Sequence, residues 1–433
     1  MTERTIHFET FCRIAIRALP LVAGALLLNS CATLDLLSKD VRAMDRDTKI
    51  FGSVIGTKAR VEKVLVLKKS TTGDGFTVAD SVKPNGMGDF AFLLPREKSY
   101  YLAAVAKGGS RKTDGKHELI GIAGNRAMKE IPWREDSAKQ EIVLKLAPSL
   151  NREAPAARDV VKAVDAWKPE NGTGGSVPIA CGDVVSLKNP SFNAENGNKG
   201  LWAPLTAARL YGLGIYFLQP YQPARIPVIF VHGIGGTPRI WEPLIASLDK
   251  KLYQPWIFSY PSGLPIEDSA KALADLTHRL QGHHHFKKSH VVAHSMGGLV
   301  ARRAVQMIRN EKRKTYITSL TTISTPWNGV TSTVLGTLGL PVPVPCWFDL
   351  KPNGKFVSKI LSDPLPVPHL LISTEKSRFR FALERKNDGS VSVASQLDPR
   401  AVSQATARLM IHENHDSVLA ADQTLDAVGA FLR

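Results

Sequence analysis

The stretch that most constrains this chain is Ser289-His-Val-Val-Ala-His-Ser-Met-Gly-Gly-Leu-Val-Ala-Arg-Arg303. A short apolar strand, His290 to Ala293, runs into Ser295, and a helix opens at once at Met296. So sharp a strand-to-helix elbow tolerates only small residues two places either side of its apex, and Ala293 and Gly297 stand there. Gly298 then lets the new helix lie close to the strand. An elbow of this kind pushes the serine hydroxyl clear of the backbone, beside a helix N-terminus. The pattern small-x-Ser-x-small is common by itself, and an exposed serine in an ordinary βα turn is the competing reading. The bracketing strand and helix favour a presented nucleophile.

A second stretch, Ile226-Pro-Val-Ile-Phe-Val-His-Gly-Ile-Gly-Gly236, is another buried-strand run that ends in His232-Gly233 and a glycine-rich turn. Together the two stretches resemble the α/β-hydrolase fold. Within it they resemble the lipase/esterase branch that includes bacterial triacylglycerol lipases and GPI inositol-deacylase-like lipases. The resemblance covers residues 200 to 433, with Ala293 where the common elbow has glycine. The coarse pattern from Leu201 onward fits it: strand-like runs at 214–218, 228–231, 256–259, 291–293, 316–323, 369–372 and 408–411 alternate with helical ones. That alternation predicts a mostly parallel sheet with helices on both faces, and ligands beyond the carboxyl ends of its strands.

A serine hydroxyl is a weak nucleophile; it needs a base to take its proton and a third group to hold that base. The resemblance implies the chain order serine, acid, histidine. Downstream stand His369, His412 and His415. His415 follows Glu413-Asn414 in the loop before the last helix, where the family carries its base; His412 is the alternative, and His369 opens a strand. Asn387-Asp-Gly-Ser-Val391 resembles the family's acid loop, which nominates Asp388. Asp363 and Asp398 each precede a proline and read as surface caps. By the same analogy the backbone amides of Ile234 and Met296 form the oxyanion hole, with His232 bracing the turn and His294 pointing elsewhere. No cofactor is implied. His283-His284-His285 cannot all face one ion from a regular element; with Lys287 and Lys288 nearby they read as a solvated helix end, so no metal site is expected. Residues 325–366 form an apolar, proline-stiffened insertion, read as a lid or acyl-binding wall or as plain core packing.

The front of the chain reads differently. Arg13 and Arg17 precede an apolar run, Ala18 to Leu28, too short to span a bilayer, which closes in Leu28-Asn-Ser-Cys31. That ending resembles a bacterial lipobox, which implies a signal peptide over 1–30, lipid modification of Cys31 and, with Ala32 next, the outer membrane facing the periplasm. Several acyl chains on one cysteine anchor stably where one does not. Residues 31–48 are expected to be a tether. Short strand-like runs between turn signals over 49–148 suggest a sandwich, and this segment resembles the prealbumin-like domain of secreted enzymes. A connector, 149–200, carries Val160, Val161, Val164 and Trp167 on one helical face.

Export would leave Cys181 and Cys346 able to pair in an oxidising compartment. The net charge of +17 allows an acidic lipid surface as a partner, and no nucleic-acid motif accompanies it. The expected fold is thus α/β-hydrolase preceded by a small all-β sandwich, and the expected activity is hydrolysis of carboxylic, chiefly lipid, esters through an acyl-serine. Two other readings stay open: an envelope-anchored scaffold with an idle hydrolase fold, and an acyltransferase on the same three residues. Oligomeric state is not legible.

Overall fold

The computed structural model describes residues 30–55, 61–71, 75–95, 99–107, 117–122, 139–145, 155–168, 174–312, 316–339, 341–376 and 386–433. The export signal expected over residues 1–30 lies outside them except for Ser30. The chain divides into two compact units, one of Arg42–Asp183 with Ala208–Leu213, the other taking the remaining residues.

The first unit is built from β1 (Asp47–Ile55), β2 (Val61–Lys69), β3 (Phe76–Val82), β4 (Asp89–Pro95), β5 (Tyr101–Lys107), β6 (His117–Ile122), β7 (Lys139–Lys145) and β8 (Ser176–Val177). They form one sheet in the order β3-β2-β5-β6-β7-β1-β4-β8, antiparallel except for the β1–β7 pair. Alternation along β2 divides its side chains between two cores. Val64 and Val66 join Phe90, Phe92 and Leu102 on one face, while Leu65 and Leu67 meet Tyr101, Val160 and Val164 on the other. The edges of the sheet return to each other: the buried Asp80 of β3 accepts the Gly175 and Ser176 N–H groups at the start of β8. The rolled sheet gives the sandwich-like all-β fold expected here.

Its boundary differs from the sequence reading. Helix Pro155–Ala166, assigned above to a connector, buries Val160 and Val164 against β2 and β5, so the unit runs on to Asp183. Each such valine contributes about 1.5–3 kcal/mol by leaving water, which is enough to hold an amphipathic helix on a sheet. The sequence displays the apolar stripe of that helix but not the surface that receives it.

After β9 (Ile179–Val184) come β10 (Leu213–Phe217), β11 (Ile226–Val231), β12 (Tyr253–Ser259), β13 (Ser289–His294), β14 (Ile317–Ile323), β15 (His369–Thr374) and β16 (Ala407–Ile411). In the second unit they run β16-β15-β14-β13-β11-β12-β10, parallel except for β10 against β12. β13 and β15 are buried along their whole length, as a sheet covered on both faces requires. Helices Ile266–His284 and Met296–Lys312 are part of that cover. This is the α/β-hydrolase fold.

Helix Ala194–Trp202 and the part of helix Ser30–Arg46 up to Val41 also belong to this unit. Helix Ala194–Trp202 lies against the turn after β11, close enough that a Cβ on Gly197 would sit 2.5 Å from the Gly235 carbonyl. The unit therefore begins before residue 201. The expected tether is a docked helix, Ser30–Arg46: Leu37 is buried, and Asp40 accepts the N–H and hydroxyl of Thr206, both at 2.8 Å. Cys31 lies in its first turn. Among the described residues no helix is long and apolar enough to cross a membrane. Cys181 and Cys346 are both buried and form no disulfide with each other.

Candidate active site

Ser295 sits between the end of β13 and the start of helix Met296–Lys312, with φ at +54°, a left-handed backbone that a non-glycine residue adopts at a cost. Its N–H donates to the Ile323 carbonyl at 2.8 Å, which pins the elbow to the end of β14. The glycines after it are dictated by close approach. A Cβ on Gly297 would fall 2.4 Å from the His232 carbonyl, and one on Gly298 would fall 2.0 Å from the Thr325 hydroxyl. On the facing turn, a Cβ on Gly233 would lie 2.7 Å from Cβ of Ser295. The serine is thus wedged between two strand ends, with its Oγ aimed along the rim.

Three residues separated by up to 120 positions meet there. His415 Nδ1–H donates to Asp388 Oδ2 at 2.8 Å, and Ser295 Oγ–H donates to His415 Nε2 at 2.9 Å. The carboxylate is fully buried and collects five donors. Oδ1 takes the Ser390 and Val391 N–H groups; Oδ2 takes the Thr374 hydroxyl, the Gln396 amide and the imidazole. Burial alone would raise its pKa, but the hydrogen bond and charge of His415, with the two backbone amides, bring it below the usual carboxylate value. Asp388 is therefore an anion that fixes both the tautomer and the aim of the ring.

The other flank is made of backbone. The N–H groups of Ile234 and Met296 have no acceptor among the described residues. The turn that carries Ile234 is braced from several directions. The Gly235 N–H donates to Ser262 Oγ at 2.8 Å, and the Tyr260 hydroxyl donates to the His232 carbonyl at 2.8 Å. His232 Nδ1–H donates to the Gly233 carbonyl at 2.9 Å, while its ring stacks on Tyr260 at 4.5 Å. Burial pushes the His232 pKa down to about 4, so it braces the turn as a neutral ring. Such an array can pass a proton from hydroxyl to imidazole and meet a developing oxyanion with two fixed donors.

The structure brings Ser295, Asp388 and His415 together, with the Ile234 and Met296 amides beside them. His412 is exposed at the end of β16 and stands apart, and His369 is a buried β15 residue that meets the Thr322 hydroxyl at 2.8 Å. Asp398 caps the short helix Pro399–Val402 and pairs with Arg400. His283 and His284 end helix Ile266–His284, but His284 is half-buried and stacks on Tyr221 at 4.0 Å, so this end is less solvated than its sequence suggests. In the insertion, Val344, Cys346 and Trp347 are buried while Leu338 and Phe348 are exposed, 77% and 52%.

Sequence reasoning missed Thr374 and Gln396, which hold Asp388, and misplaced His294. That ring does not point away from the site: its Nε2–H donates to the His415 carbonyl at 2.8 Å. Ser262 and Tyr260 were likewise unread. No local pattern marks these residues: Gln396 and Thr374 stand 8 and 14 positions from Asp388, Ser262 and Tyr260 stand 27 and 28 from their partners, and His294 stands 121 from His415.

The fold of this unit is that of the α/β-hydrolases. In agreement, residues 228–429 match the alpha/beta hydrolase family. Among solved structures the chain is similar to the mature form of the Bacillus licheniformis lipase BlEst2, at 18% identity and TM-score 0.41, over 50% of this chain and 97% of that one. It is also similar to the Legionella pneumophila phospholipase PlaB in complex with thio-NAD, at 19% identity and TM-score 0.34, over 40% of this chain and 44% of that one. The esterase RhEst1 from Rhodococcus sp. ECU1013 matches at 14% identity and TM-score 0.35, over 49% and 91% of the two chains. No curated protein matches the chain.

Proposed function

We propose that this protein is a serine hydrolase of carboxylic esters, with lipid esters as its substrate class. The observation that supports this most is the single imidazole of His415, which bridges Asp388 and Ser295 at 2.8 and 2.9 Å next to two backbone N–H groups without acceptors among the described residues. Ser295 Oγ attacks the ester carbonyl as its proton passes to His415 Nε2, and the Ile234 and Met296 amides receive the oxyanion. The imidazolium, steadied by Asp388, returns the proton to the departing alcohol oxygen, which leaves an acyl-Ser295. Water then attacks with His415 again as base, and the acid departs.

The preference for lipid rests on the apolar insertion and on the lipobox-like Leu28-Asn-Ser-Cys31. On this reading Cys31 is acylated after signal cleavage, the chain is anchored in the cell envelope, at the outer membrane facing the periplasm, and the all-β unit serves as spacer and platform. Kinship with GPI inositol-deacylase-like lipases belongs to the same proposal.

A panel of p-nitrophenyl esters of rising chain length tests it, with Ser295→Ala as control. Turnover that rises beyond short acyl chains and vanishes in Ser295→Ala is the expected result. Equal turnover in the variant would refute the serine mechanism, and a strict preference for acetate would refute lipid esters.

A further inference from the structure

We propose that His294 is a positioning residue that registers the main chain of the base against the nucleophile; the inference rests on the proposed ester hydrolysis at Ser295. His294 closes β13 and is covalently joined to Ser295. Its Nε2–H donates to the His415 carbonyl at 2.8 Å, and the two rings lie 4.7 Å apart between centroids, tilted by 48°. On the other side of the same α-carbon, the His415 N–H donates to the Asp388 carbonyl at 2.9 Å. Both peptide groups flanking the base are therefore tied. One tie leads to the acid loop and the other to the residue next to the nucleophile.

The loop that carries His415 follows Ser295 by 120 residues, and its side chain alone has two free torsions. A bond from the nucleophile's own strand sets the distance between Oγ and Nε2 without relying on the loop's stiffness. The chemistry suits the task. His294 is 4% exposed, and burial together with the charge of His415 presses its pKa to about 3, so it donates an N–H without carrying charge. A lysine or arginine there would oppose the imidazolium that His415 becomes during turnover; a neutral donor does not. A displacement of roughly 1 Å between reacting groups costs about a hundredfold in rate, the scale on which such a tie acts.

The test compares His294→Gln with His294→Asn in the full chain, using p-nitrophenyl butyrate, with melting temperatures recorded. Glutamine can place its amide nitrogen where Nε2 stands; asparagine cannot reach. The expected result is a kcat within about fivefold of wild type for Gln and about thirty- to a hundredfold lower for Asn, with KM changed less than about threefold in both. Because both side chains are polar and of similar bulk, a fold defect would lower them alike. Equal kcat in the two variants, or a loss confined to KM, overturns the proposal. Ser295→Ala, run alongside, separates the levels. If it is inactive while Gln and Asn behave alike, only the role of His294 falls. If it turns over normally, the hydrolase reading falls and this inference with it.

Discussion

On the His415 side of Ser295 the polar groups are bound to one another, whereas on the Gly233 side two backbone N–H groups have no acceptor among the described residues. Asp388 alone gathers five donors, and Thr374, which gives one of them, itself meets the Ser324 hydroxyl at 2.8 Å. The facing turn spends its bonds on shape instead: Ser262, Tyr260 and His232 hold the loop while the Ile234 N–H stays unspent. Under the proposed mechanism, the contrast follows the charge each flank must meet. An imidazolium is transient and mobile unless an anion fixes its ring, so the base flank is saturated in advance. An oxyanion forms only during reaction, so its donors must be oriented yet uncommitted.

Substitutions on each flank can break this comparison. Asp388→Asn keeps the shape but removes the anion and disturbs the tautomer; kcat should fall about 10⁴-fold in steady-state assays, with little change in KM. A fall below tenfold would mean that the five donors serve structure rather than the base. Gly233→Ala places a methyl 2.7 Å from Cβ of Ser295 and tilts the turn that carries the Ile234 amide. A loss of about 10²–10³ in kcat is expected, comparable to deleting an oxyanion donor. Unchanged turnover would show that this flank is not used.

Gln396→Ala sharpens the contrast at smaller scale. It strips one donor from Asp388 and frees the Thr374 N–H, so about 1–3 kcal/mol of stability should go, read by chemical denaturation. Stability equal to wild type would remove Gln396 from the network. A further test concerns pH. Burial holds His232 and His290 down to about 4, and His294 and His369 to about 3, from an ordinary 6.5. The unfolded chain therefore binds protons first as pH drops. The stability these four rings contribute is full above about 6.5 and is lost as pH falls from there, down to about 4 for His232 and His290 and to about 3 for His294 and His369. Unfolding at pH 5, measured by calorimetry in two buffers, should take up protons on balance, because uptake by these four rings outweighs release from the buried Asp349 carboxyl, which burial raises to about 6; uptake near zero would contradict the burial of these rings.

Much of this was legible because the fold writes its essentials locally. The elbow at Ser295 needs small residues at fixed spacing, and the buried parallel strands read as apolar runs. The resemblance implies the chain order of Asp388 and His415, whose side chains meet at 2.8 Å. Long-range partners were the illegible part. The amphipathic stripe around Val160 and Val164 shows that the helix packs, but not that β2 and β5 receive it. Residues 31–48 read as a tether because nothing near Asp40 in sequence announces Thr206. His294 was misjudged for the same reason: its partner is a main-chain carbonyl, which has no residue signature.

The central claim is that the Ser295 hydroxyl is a nucleophile activated by His415. Incubating wild type, Ser295→Ala and His415→Ala with a fluorophosphonate and weighing the intact proteins tests it directly. One adduct on wild type, mapped to the Ser295 peptide, with none on Ser295→Ala and slow labelling of His415→Ala, is the predicted result. An adduct of equal yield on Ser295→Ala would contradict it.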